Sequence, residues 1–165
     1  MIADRVRLYS RNGADFTKRY PLIVETTLRI RTKQFVLDGE AVLLGVDGVS
    51  DFDGLMSRKF DDEVMLHAFD ALAIDREDLR DLPLHLRKNN LTRLLARRAD
   101  AIHLAPLEQG ESGPDLVKAA CGMMLEGLVS KRRESRYRAG TSKDWLKSQN
   151  QAHPAMHRAD DKRLR

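Results

Sequence analysis

A chain of 165 residues, 42% apolar and 33% charged, is long enough for one domain with its own core, which excludes a disordered chain of low hydrophobicity. No apolar stretch approaches the ~20 residues that cross a bilayer, and Met1-Ile2-Ala3-Asp4-Arg5 lacks an apolar secretion signal. The single Cys121 excludes an internal disulfide, so a reducing compartment such as a bacterial cytoplasm fits, and the net charge of +4 is too small to be informative until it is located.

Val6 and Leu8 alternate with Arg7 and Tyr9, which predicts a short strand, and Asn12-Gly13 supplies a turn, so the chain opens in a hairpin-like unit. Asp15 and Thr17 are candidate N-caps for an amphipathic helix over Tyr20 to Ile30. Its Ile23, Val24, Thr27 and Leu28 recur at helical spacing, and Pro21 fits only in the first turn. Phe35 to Leu44, closed by Asp47-Gly48, and Val64 to Ile74 read as the central strands. A helix opens near Asp81 and Pro83 with Leu84, Leu91, Leu94 and Leu95 on one face and Arg87, Lys88, Arg93, Arg97 and Arg98 largely elsewhere. Gly113-Pro114 starts another helix through Val117 and Ala120. Gly127 to Lys131 and Asp144 to Gln149 then read as strands on either side of the basic segment Arg132 to Thr141. The polar tail Gln151 to Arg165 has no period and is expected to be mobile. The order is neither βαβα nor all-β, and there are no internal repeats.

Seven cations, Lys131, Arg132, Arg133, Arg136, Arg138, Lys143 and Lys147, stand against only Glu134 and Asp144, a local excess of five positive charges. Such a segment attracts phosphates and makes nucleic-acid binding salt-dependent, although a solvated face of ordinary cations has the same composition. On the first central strand a period of two puts Asp38 and Glu40 on one face among apolar neighbours, with Gly39 allowing close approach between them. A ligand or metal contact and a strand end turned to solvent account for that pair equally well. Glu126 enters an apolar strand that Lys131 leaves on the opposite face, and Lys147 follows the only tryptophan, Trp145. Each of these alone is compatible with a charged surface strand or with core packing beside a snorkelling lysine.

Their order is more specific. Ser10-Arg11-Asn12-Gly13, Val36-Leu37-Asp38-Gly39-Glu40, Ala68-Phe69-Asp70-Ala71-Leu72, Glu126-Gly127-Leu128-Val129-Ser130-Lys131 and Asp144-Trp145-Leu146-Lys147 follow one another along the chain. This series resembles the successive nucleotidyltransferase motifs of ATP-dependent DNA ligases, nearest to the small bacterial ligases and the ligase domains of bacterial end-joining proteins. Asp78-Leu79-Arg80-Asp81-Leu82-Pro83-Leu84 adds to it, so the resemblance runs from about Arg5 to Asn150. It implies an α+β, ATP-grasp-like adenylation fold of mainly antiparallel twisted sheets flanked by helices, over residues 1–150.

The resemblance also implies roles. Arg11 would touch the nucleotide, Glu40 the ribose or the metal, Phe69 the adenine face, and Glu126 a divalent metal. Lys147 would contact the α-phosphate and Lys131 a further phosphate, and Arg132, Arg133, Arg136 and Arg138 would lie on nucleic acid. ATP and Mg²⁺ are the implied ligands. The implied partners are nicked or broken double-stranded DNA and a DNA end-binding protein or separate ligase subunit, with no membrane. Acids suit Mg²⁺, and cations suit the charge that develops in phosphoryl transfer.

Three features depart from the family pattern. The Lys-x-Asp-Gly motif, whose lysine takes AMP covalently, does not occur in the chain, and it would precede Arg7-Leu8-Tyr9. The expectation is an N-terminally truncated adenylation domain with no catalytic nucleophile and no oligonucleotide-binding domain after Asn150, with an exposed sheet edge that favours self-association. Thr141 stands where an arginine is usual and Gln149 where a second lysine is usual, a loss of about 1.5–3 kcal/mol of ATP binding for each charged hydrogen bond. An inert ligase remnant that binds DNA or protein is the alternative at this stage.

Overall fold

A computed structural model describes residues 5–97, 100–107, 109–110, 113–123, 125–140 and 142–152. Arg98, Thr141 and the tail from residue 153 lie outside the described residues. The chain divides into two units, Met1–Pro106 and Leu107–Arg165.

In the first unit, Tyr9 and Asp15 form a single antiparallel bridge where a longer strand was expected. Asp15 and Thr17 do not cap the next helix. Asp15 Oδ1 accepts from the Thr17 N–H at 2.8 Å and Thr17 Oγ1 accepts from the Leu8 N–H at 3.0 Å, so both fasten the opening loop. Arg19 anchors that loop from below. Its guanidinium carbon lies 5.3 Å and 5.0 Å from the ring centres of Phe16 and Tyr20, its Nε is 3.1 Å from Asp61, and its Nη2 donates to the Leu55 carbonyl at 3.0 Å.

Helix α1 (Pro21–Arg29) starts on a proline, whose missing N–H would be unpaired there in any case. It buries Ile23 and Thr26, whereas Leu28 is exposed. The inward face is therefore turned from the one that Ile23, Val24, Thr27 and Leu28 suggested, because the helix meets the sheet along Ile23 and Thr26.

Strand β1 (Phe35–Val42) pairs antiparallel with β2 (Met65–Ile74). On its other side β2 pairs with the two-residue β3 (Glu77–Asp78) and, in parallel, with β4 (Ile102–Leu104). Strand β2 is thus the centre of a four-stranded sheet. The short β3 and β4, and helix α2 (Phe52–Ser57) with its Asp51 cap on the Gly54 N–H, are too brief for periodicity to reveal. The β1–β2 register slips twice. Asp38 lies opposite Asp70 and Gly39 opposite Ala68, which leaves Phe69 as the extra residue of a bulge. Gly39 serves the strand pairing: a Cβ there would stand 2.8 Å from Leu66 Cδ1 and 2.9 Å from the His67 carbonyl oxygen. Its missing side chain lets β1 approach β2, instead of letting Asp38 approach Glu40.

Helix α3 (Leu84–Leu94) begins after Pro83 without a side-chain cap, so Asp81 does not cap it. It packs on β2 through Leu84, Leu91 and, unexpectedly, Arg87. Arg87 belongs to the buried face. Its Nε and Nη2 donate to Asp70 Oδ1 and Oδ2 at 2.8 Å and 2.9 Å, both side chains are 0% exposed, and Nη1 donates to the Leu82 carbonyl. Around this pair lie the core residues Tyr20, Ile23, Leu43, Val64, Ala68, Ala71, Leu79, Leu91 and Ile102.

The second unit holds α4 (Pro114–Gly122), which packs on β5 (Gly127–Lys131), and the antiparallel partner β6 (Trp145–Gln149). Gly127 has φ +157°, and a Cβ there would overlap the Ser148 carbonyl oxygen, so glycine is required where the hairpin starts. The α+β expectation of helices with mainly antiparallel sheets holds. Among the described residues no helix is long and apolar enough to cross a membrane.

The registers place Glu40 opposite His67 and His67 opposite His103, so the three side chains leave one face of the sheet in a row. The histidine rings meet edge to face at 6.1 Å. Burial, and then the neighbouring His103, hold His67 below the usual 6.5.

Two outcomes follow for stability. Asp70→Ala or Arg87→Met, each stranding a buried charge, lowers unfolding free energy by about 3–5 kcal/mol in urea titration, and the double variant Asp70→Leu/Arg87→Met recovers much of that; single losses under about 1 kcal/mol would contradict a fully desolvated pair. Because the folded His67 holds its proton less tightly than the unfolded chain does, stability is complete above 6.5 and declines as pH falls below it. The Asp78 carboxyl, held at about 2 by Arg80, titrates outside that window. The thermal midpoint between pH 7.5 and 5.5 should therefore fall further in the wild type than in His67→Gln, and equal falls would dismiss the His67 contribution.

Candidate functional site

In the first unit the sequence motifs lie on β1, β2 and the opening loop. Arg11 sits at the tip of a tight loop in which the Gly13 N–H donates to the Ser10 carbonyl at 2.9 Å and the Ala14 N–H to Ser10 Oγ at 3.0 Å. Arg11 is exposed and its guanidinium makes no hydrogen bond or ion pair among the described residues. Glu40 is exposed on β1, and its carboxylate likewise has no such partner among the described residues. The sequence left open whether the two carboxylates of this strand meet a ligand or turn to solvent, and the structure separates their surroundings: Asp38 is half-buried opposite Asp70, whereas Glu40 faces solvent beside His67. Phe69 is half-buried, and as the extra residue of the bulge it escapes the strict pairing of the strand.

In the second unit the β5–β6 hairpin sets the charged residues. Lys131 is opposite Trp145 and Val129 opposite Lys147, so Lys131, Trp145 and Lys147 share one face. The Lys131 Nζ lies 4.0 Å from the Trp145 ring centre, a cation–π contact that holds the ammonium in place. The Lys147 Nζ lies 3.4 Å from Glu126 Oε1 with the side chains 56% and 52% exposed, so the pair is solvent-screened and easily exchanged for other ligands. The backbone fixes Glu126: its carbonyl accepts from the Asn150 N–H at 2.8 Å, and Asn150 Nδ2 donates to the Leu125 carbonyl at 3.1 Å. Gln149 is exposed opposite Gly127.

The basic segment between the strands is braced by backbone bonds. The Arg132 N–H donates to the Asp144 carbonyl at 2.9 Å, and Ser135 Oγ donates to the Arg132 carbonyl at 2.7 Å. The Arg132 guanidinium is 3.7 Å from Asp144 and that of Arg133 is 3.9 Å from Glu134, while Arg136 and Arg138 are exposed. Part of the local positive charge is thus spent on neighbours.

Sequence reasoning missed His67 and His103 beside Glu40, and the burial of Arg87. His67 precedes Phe69 by two on a readable strand, but only the register brings it to Glu40.

Residues 2–149 match the family model described as ATP dependent DNA ligase domain. The multifunctional non-homologous end joining protein LigD of Pseudomonas aeruginosa is 34% identical over 145 residues, covering 86% of this chain and 17% of that protein. A DNA ligase of Natronomonas pharaonis is 33% identical over 156 residues, covering 87% of this chain and 28% of that protein. In structure, the ligase domain of LigD from M. tuberculosis matches with a TM-score of 0.77 and 32% identity, over 88% of this chain and 47% of that one. A mycobacterial DNA ligase D complexed with ATP and MES matches with a TM-score of 0.75 and 33% identity, over 88% of this chain and 48% of that one. The chain therefore spans less than a third of these two curated relatives and about half of the solved ligase chains. With the match extending over nearly all of its residues, this chain belongs to the ATP-dependent DNA ligase domain family.

Proposed function

We propose that this chain is the ATP-binding part of a DNA ligase adenylation domain that serves nick sealing or end joining in DNA repair and recombination. The observation that carries the reading is the half-exposed Glu126–Lys147 pair on a fixed hairpin, an acid and a cation that satisfy each other until a metal and a phosphate replace them. In this reading the first unit takes the nucleoside. Phe69 stacks on adenine, Glu40 accepts from the ribose hydroxyls, and Arg11 reaches the nucleotide from its loop tip. On the β5–β6 hairpin, Lys147 is the candidate for the α-phosphate and Lys131, steadied by Trp145, for a further phosphate oxygen.

Mg²⁺ binds through one or two carboxylates together with phosphates and waters, and the carboxylate of Glu126, like that of Glu40, fits that donor chemistry. Among the described residues no group of three or more His, Cys, Asp or Glu gathers as a metal cage. When bound, Mg²⁺ would offset phosphate charge. The covalent step is assigned to no residue of this chain, since none of its lysines begins a Lys-x-Asp-Gly motif. Arg132, Arg133, Arg136 and Arg138 would contact the backbone of nicked or broken duplex DNA, with a DNA end-binding protein or separate ligase subunit as the protein partner.

Calorimetric titration with ATP and Mg²⁺ tests the reading. Phe69→Ala should weaken binding by about 1–3 kcal/mol, the usual loss of base stacking, and Lys147→Met by about 1.5–3 kcal/mol. Unchanged affinity in both variants would remove the nucleotide assignment. In parallel, intact-mass spectrometry of the 165-residue chain with ATP and Mg²⁺ should show no gain of AMP, and an adduct would assign the nucleophile to one of its own lysines.

A further inference from the structure

The series of motifs leaves His67 without a role, although it stands in the middle of the row that begins at Glu40. It lies directly opposite Glu40 of β1 on one side and opposite His103 of β4 on the other. Ala68, the next residue along β2, belongs to the core, so the alternation of the strand turns His67 to the other face of the sheet. There it is half-buried while Glu40 and His103 are exposed. The His103 ring stands at 89° to the His67 ring and braces it edge to face. Among the described residues the His67 imidazole makes no hydrogen bond or ion pair, and none joins it to the carboxylate opposite. Neither of its nitrogens is a sealed buried atom, so a ligand on this face can reach them.

The chemistry that would use such a nitrogen follows from the ribose assigned to Glu40 under the proposed function, on which the inference rests. A carboxylate only accepts, so a hydroxyl held by Glu40 gives it a proton and keeps two lone pairs of its own. Those lone pairs call for a donor. Side chains directly opposite across an antiparallel pair have Cβ atoms about 4.5–5.5 Å apart, which brings a hydroxyl on Glu40 within reach of the imidazole. An imidazole carries at least one N–H whether neutral or protonated, so the donor is present in both states. Phe69, assigned to adenine, is two residues further along β2, so one strand would carry groups for both halves of a nucleoside.

We infer that His67 is a second ribose-binding residue, whose N–H donates to the hydroxyl that gives its proton to Glu40. It thereby adds to the preference for a nucleotide with that hydroxyl over the analogue without it.

The test is calorimetric titration of the full 165-residue chain, as wild type and as His67→Phe, with ATP, 2′-deoxyATP and 3′-deoxyATP in the presence of Mg²⁺. Phenylalanine keeps a flat ring against His103 and has no N–H, and circular dichroism confirms that the variant folds. His67→Phe should bind ATP about three- to tenfold more weakly, the usual worth of one neutral hydrogen bond, and bind one of the two analogues as tightly as the wild type does. That analogue identifies the hydroxyl, and His67→Gln, which restores an N–H, should recover part of the loss. An equal loss for all three nucleotides overturns the inference, because the ring then acts only through the strand. Failure of ATP to bind the wild type removes the nucleoside reading and the inference together. ATP binding that Phe69→Ala weakens and His67→Phe does not leaves the reading in place and overturns the inference alone. Should His67→Phe not fold, the imidazole nitrogen resonances of wild-type His67 decide: ATP shifts them and the analogue without the shared hydroxyl does not, whereas the same response to all three nucleotides overturns the contact.

Discussion

A guanidinium and a carboxylate, neither with any exposed surface, meet where α3 crosses β2, and much of the first unit is arranged around them. Taking Arg87 and Asp70 out of water is costly, and their bidentate bond offsets that cost only at the geometry they have. The Leu82 carbonyl and the Ala71 N–H occupy further positions on the pair, so the turn before α3 and the central strand are tied to the same two side chains. This fixes α3 along the strand and gives the sheet one allowed position beneath it. The residue before Asp70 is Phe69, left over by the bulge in the β1–β2 register. The structural carboxylate and the aromatic assigned to adenine are thus neighbours in the chain, one locked inward and the other freed from strict pairing.

The second unit uses charge in the opposite way. Where Asp70 and Arg87 are fully desolvated, Glu126 and Lys147 are half in water, and Lys131 rests on Trp145. A buried pair specifies a fold because separating it is expensive, whereas an exposed pair is worth little and leaves both partners available. Acid–base pairs therefore do structural work between α3 and β2 and leave charged groups accessible at the β5–β6 hairpin. Gly127 and Asn150 keep the hairpin's open end closed, so the availability of Glu126 and Lys147 does not rest on a loose backbone.

Several elements were legible in the sequence because their signals are local. Proline at the first turn marked α1 and α4, and apolar runs marked β1, β2, β5 and β6 nearly to their observed ends. What could not be read depends on partners distant along the chain. Arg87 reads as a solvent cation on a helical wheel until Asp70 arrives from β2. Asp15 and Thr17 read as helix caps, although their acceptors find N–H groups within the loop first. Gly39 reads as a spacer between carboxylates, while its actual constraint is the backbone of β2. For the proposed site, the order of motifs singled out Arg11, Glu40, Phe69, Glu126, Lys131 and Lys147 as candidates. The pairing of Lys147 with Glu126 and the row of Glu40, His67 and His103 required a strand register that no local pattern encodes.

That these motif residues hold ATP is the claim from which the rest of the functional account follows. Hydrogen exchange of the full chain, read by mass spectrometry with and without ATP and Mg²⁺, addresses it residue by residue. The account predicts slower exchange around Glu40 on β1, around Phe69 on β2 and along the hairpin at Glu126 to Lys131 and Trp145 to Lys147, with the amides of α4 unaffected. Exchange that ATP leaves unchanged at those strands, or protection confined to α4, would contradict it.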